Sequence, residues 1–150
     1  MTQATQHARQ FTANRAVLID LYNLLPDDQG DFSAWDGGMG FIKMADHLSG
    51  SATRMVDMIG GQGMDAPAPA SANLDEARDR LRQTHQTVVS AVEALSDEDL
   101  TRTVPAFGGR EMPVAALLDM LTTHEAHHKG QVWMMARMVG VQPPMFVKLG

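Results

Sequence analysis

The chain contains no cysteine. That excludes thiolate metal ligands, disulfides and a cysteine nucleophile, so any thiol chemistry must use a thiol brought by another molecule. Basic side chains are scarce too, with 12 Lys and Arg against 18 Asp and Glu and a formal net charge of −6. They are scattered, and the patch that would neutralise phosphates is missing, so nucleic acid is not an expected partner. Aromatic residues make up 5% of the chain while methionines number 12, which points to an adaptable, largely aliphatic core. No apolar run approaches the ~20 residues of a transmembrane helix. The opening MTQATQHARQ is polar and lacks the apolar segment of a signal peptide. The expectation is a cytoplasmic protein without membrane contact, folded as a single domain over residues 1–150.

What is present is helical periodicity. Phe11, Leu18, Leu21, Tyr22 and Leu25 predict a helix over about residues 5–25, ended by Pro26 and DDQGD. A glycine-rich turn at 33–40 precedes a second stripe of Phe41, Ala45, Leu48, Ala52, Met55 and Ile59, stopped by GGQG at 60–63. PAPASAN (67–73) reads as a linker, with Asn73 or Ser71 to cap the next helix. That helix carries Leu74, Ala77, Leu81, Val88, Val92 and Leu95, and Ser96 with Asp97, Glu98 and Asp99 starts a short extra turn. TRTVPAFGGREMP (101–113) reads as a loop or small hairpin. A last helix runs from Pro113 to Val139, with Gly140 as its stop. Four long helices without a strand series predict an all-α four-helix bundle.

The chemistry concentrates in LTTHEAHHKGQVW (121–133). On a wheel of about 100° per residue centred on Leu121, the residues Val114, Leu117, His128, Val132, Met135 and Val139 fall within about 40°. His124 sits on the shoulder of that stripe, at about −60°, and His127 lies about 120° away, on the side of Met120, Met134 and Met138. His124 and His128 are thus an i, i+4 pair facing inward, a spacing at which two imidazoles reach one ion. The bland alternative is a hydrogen-bonded polar pair in the core. H-E-x-x-H also matches a zinc-protease signature with Glu125 as base, but that signature needs a third ligand downstream. No His, Asp or Glu follows His128. Glu125, near the inward face, is read as a group that orients a ligand or serves as a base, or as a solvated or salt-bridged carboxylate. A third ligand must come from upstream. Periodicity favours His85, on its helix's stripe between Leu81 and Val88, over His47 on the flank of its own. His7, near the terminus, reads as solvated.

HEAHHKGQ at 124–131, the RMVGVQPP that follows it, and ADHLSG after a turn rich in Trp, Asp and Gly together resemble the DinB-like family. These are four-helix bundles, many of them DNA-damage-inducible proteins. The resemblance spans nearly the whole chain and implies a divalent metal held by His47, His124 and His128, so it selects His47 where periodicity selects His85. Lys129 stands where Arg is commoner. Three imidazoles leave coordination positions open, and Zn²⁺ or Ni²⁺ suits such ligands. The resemblance further implies a homodimer. It also implies a metal-dependent enzyme acting on a small-molecule substrate, with a transferase that uses a low-molecular-weight thiol as one form. A non-catalytic stress-response bundle and a metal-assisted hydrolase are the rival readings.

Overall fold

A computed structural model describes residues 1–62 and 66–149. Four long helices dominate: α1 (Gln3–Leu24), α2 (Phe41–Ile59), α3 (Leu74–Glu93) and α5 (Val114–Met138). A short α4 (Asp97–Thr101) and a hairpin of β1 (Thr103–Pro105) and β2 (Glu111–Pro113) join α3 to α5. The segment expected as a loop or hairpin is therefore a hairpin. Gly108 and Gly109, at φ +64° and +77°, make its turn, in the left-handed region that residues with a Cβ rarely adopt.

The ends of the helices follow from local chemistry. Asn73, not Ser71, caps α3: its side chain accepts the Glu76 N–H, and Glu76 reaches back to the Ala72 N–H. Ser71 instead binds Asp46 through both its N–H and its hydroxyl, tying the linker to α2 beside His47. Ser96 and Asp99 form a reciprocal capping box on α4. α2 stops at Ile59 with Gly60 as cap; Gly63, the last glycine of the expected stop, lies outside the described residues. Pro113 precedes the first turn of α5 instead of lying within it. That helix ends as expected at Gly140, where φ is +82° and the Val141 N–H returns to the Ala136 carbonyl.

α1 and α2 each pack against both α3 and α5, so the two consecutive helices stand diagonally and the connection over 25–40 crosses the bundle end. The apolar core forms two clusters. One gathers Phe11, Ala52, Met55, Val88, Leu117 and Leu121; the other gathers Leu18, Tyr22, Leu48, Leu81, Val132 and Met135. Each fully buried side chain of this size contributes about 1.5–3 kcal/mol. Between the clusters runs a polar layer with one residue from each long helix: Arg15, Ser49, Thr84 and Glu125. Arg15 is its hub. Its guanidinium donates to both Glu125 oxygens, to the Leu81 carbonyl at 3.1 Å, to Thr84 Oγ1 at 2.8 Å and to the Leu48 carbonyl at 3.4 Å. One side chain of α1 thereby fixes the level of α2, α3 and α5 relative to one another. Among the described residues no helix is long and apolar enough to cross a membrane.

Candidate metal centre

Three imidazoles meet at the α2–α5 seam, at the level of that polar layer. Nε2 of His47 lies 3.0 Å from Nε2 of His124 and 3.2 Å from Nε2 of His128. The three rings stand steeply to one another, at 64°, 87° and 80°, with centroids 4.6 to 4.9 Å apart. They present nitrogens to one point instead of stacking faces. An ion bonded at about 2.0–2.1 Å in right-angled or tetrahedral geometry needs its nitrogens roughly 2.8–3.4 Å apart. The spacing of His47 to its two neighbours meets that requirement, and the three ligand nitrogens all lie within 4.8 Å of one another, so these residues fit a divalent cation.

Electrostatics and hydrogen bonding favour the ligand form. Burial, reinforced by His128 and His47, lowers the His124 pKa to about 4. Burial, with His128 and Arg54, lowers that of His47. Both rings are therefore neutral near pH 7, as a metal ligand must be. His128 Nδ1 donates to Gln131 Oε1 at 2.8 Å, which leaves the Nε2 lone pair free and aimed at the cluster. Gln131 is a site residue that the sequence reading passed over. Its signal was there: it lies three residues after His128, so the two share a helix face.

The histidine that periodicity favours does not join the cluster. His85 faces inward, as its stripe indicates, but toward α1, where its Nε2 is 3.1 Å from Thr12 Oγ1 and its ring lies against Phe11. A stripe tells which side of a helix is buried and not which neighbour it meets. His47, on the flank of its own stripe, stands at a seam, where flank residues of two helices touch. His127 is exposed beside His128, on the side of the exposed Met120, Met134 and Met138. The His7 side chain is 17% exposed, with its Nδ1 3.5 Å from an oxygen of the exposed Asp119, so it is partly buried and not the solvated group its place near the terminus suggests.

Glu125 is 1% exposed, and both its oxygens accept from Arg15. Of its sequence readings, the salt-bridged carboxylate is the one realised. Acting as a base would require it to leave a buried ion pair. Arg15 itself, a charge on the Phe11–Leu18 stripe, gave no warning in composition or motif.

A cavity of about 250 Å³ opens beside His47 and His124. Met55, Met58, Met120 and Leu121 form its apolar body, Phe107 of the hairpin turn joins its wall, and Ser51 and Arg54 supply its remaining polar lining. No carboxylate lines it among the described residues. A larger cavity of about 430 Å³ between α2 and α3 does not include the histidines.

The DinB superfamily pattern matches residues 10–132. The uncharacterised protein YjoA of Bacillus subtilis (strain 168) is 26% identical over 145 residues, covering 93% of each chain. The crystal structure of YjoA superposes with a TM-score of 0.79 at 18% identity, over 96% of this chain and 99% of that one. A DinB-like protein from Bacillus cereus superposes with a TM-score of 0.80 at 23% identity, over 92% and 93%. YfiT from Bacillus subtilis, a probable metal-dependent hydrolase with an unusual four-helix bundle topology, gives 0.71 at 17% identity, over 93% and 89%. At these identities the superpositions speak for the fold, and with the sequence match over most of its length the chain belongs to the DinB superfamily.

Proposed function

We propose that this chain is a divalent-metal-dependent enzyme that takes a low-molecular-weight thiol as its nucleophile, with His47, His124 and His128 holding Zn²⁺ or Ni²⁺. The observation that carries the reading is the convergence of three Nε2 atoms beside a mostly apolar cavity lined by no carboxylate among the described residues. When bound, the ion supplies Lewis acidity that lowers the pKa of a thiol or water reaching it. The histidines hold the ion as neutral donors, and Gln131 orients His128. The cavity gives a small substrate a methionine-rich wall that adapts to its shape. Thiol transfer is favoured over hydrolysis because Glu125, the base that the hydrolytic reading calls on, is engaged by Arg15. With no cysteine in the chain, the sulfur is the substrate's own.

The fold-level likeness to YfiT supports a second reading, metal-assisted hydrolysis. One assay separates the two. Zinc- or nickel-loaded protein is given a panel of thiols with electrophilic acceptors and, in parallel, esters and amides. The proposal expects metal-dependent thiol consumption that disappears in His128→Ala. Thiol-independent hydrolysis, lost in Glu125→Gln while the metal remains, would establish the second reading instead. A loaded protein inert to both panels would leave a non-catalytic metal-binding bundle.

A further inference from the structure

The cavity beside the histidines combines an apolar body with a single cationic side chain. His47, Ser51, Arg54, Met55 and Met58 follow one another on α2 at intervals of four, three, one and three residues, so one face of that helix carries the ligand, the hydroxyl, the guanidinium and the apolar wall. Across from it α5 offers Met120, Leu121 and His124. Arg54 also borders the larger cavity between α2 and α3, whose lining includes Asp46 and Asp57, so it stands where the two cavities adjoin. No hydrogen-bond or ion-pair partner engages Arg54 among the described residues. A guanidinium at the edge of a mostly apolar cavity that no carboxylate lines is an anion-binding element. A single guanidinium with one neighbouring hydroxyl matches a monoanionic carboxylate better than a doubly charged phosphate, which calls for several donors. The cavity volume of about 250 Å³ limits the occupant to a small molecule.

We infer that Arg54 is a specificity-determining residue and that the substrate class is a small carboxylate with a short apolar chain, its anionic end at Arg54 and its reactive end at the histidine cluster. This rests on the metal reading above for the reactive end only. The carboxylate end depends on Arg54 alone.

The test uses 6-mercaptohexanoate and its neutral counterpart 6-mercaptohexanol, titrated calorimetrically into zinc-loaded protein. Wild type is expected to bind the carboxylate about tenfold more tightly, the order of effect of one charge-assisted hydrogen bond. Arg54→Gln removes that preference with metal content unchanged, and Arg54→Lys keeps part of it. Equal binding of the two thiols by wild type, binding of neither, or a preference that survives in Arg54→Gln overturns the inference. Hexanoate against 1-hexanol in metal-stripped protein repeats the comparison without sulfur or metal. A chain that takes up no metal but still prefers hexanoate through Arg54 therefore fails the metal reading while keeping this one.

Discussion

Two i, i+4 pairs lie one residue apart on α5 and have opposite fates. His124 and His128 face α2, while Glu125 and Lys129 face α1. The second pair is buried, at 1% and 4% exposure, and each member is satisfied. Glu125 holds Arg15. Lys129 donates to Asn14 Oδ1 at 2.7 Å and to the Phe146 carbonyl, with its ammonium 5.7 Å from the Trp133 ring. The first pair is partly exposed, and its Nε2 atoms point with that of His47 at one spot beside a cavity. The rotation of about 100° per helical residue separates a pair locked into the core from a pair that meets His47 beside a cavity. Charge alone does not mark a site; converging donors with capacity left over do.

The largest effect belongs to the buried pair. Arg15→Met leaves the Glu125 carboxylate unpaired in the core, and urea unfolding should show a loss of about 3–5 kcal/mol. Arg15→Met with Glu125→Leu removes both charges and should recover most of that loss. A single variant costing under about 1 kcal/mol would mean that the pair is not the structural hub described.

Gln131 sharpens the other side of the comparison. Gln131→Ala should weaken zinc binding by about 10–100-fold in a chelator competition, the effect of losing a partner that orients a ligating histidine. His127→Ala, which alters the exposed neighbour, should leave affinity unchanged. Equal effects of the two would remove Gln131 from the site.

A smaller effect appears with pH. The folded chain holds His124 at about 4 against 6.5 for an ordinary histidine, with burial the main cause, and His47 and His85 are lowered as well. Between those values the unfolded chain binds more protons. Metal-free protein is therefore at full stability above about pH 6.5 and loses stability as the pH falls toward 4. The urea midpoint at pH 5 should lie below that at pH 7, and the difference should shrink in His124→Ala. A midpoint unchanged between the two pH values would contradict the neutral-ring description.

Much of this was legible in sequence. The stripes through Phe41–Ile59 and Leu74–Val92 gave α2 and α3, because a buried helical face must repeat its apolar residues. Gly108 and Gly109 located the hairpin turn, and the i, i+4 pair of His124 and His128 located half the site. What periodicity could not supply was azimuth between helices: His85 and His47 differ in which neighbour they meet, and only the diagonal placement of α1 and α2 decides that. The DinB resemblance supplied the choice of His47. Arg15 was invisible because its partners come from three other helices, the nearest of them Leu48, 33 residues away.

Metal content per chain, measured after zinc loading and gel filtration of wild type, His47→Ala and His85→Ala, tests the central claim most directly. About one ion is expected in wild type and in His85→Ala, and none retained in His47→Ala, as a three-histidine centre requires. Full occupancy in His47→Ala, or loss in His85→Ala alone, would contradict it.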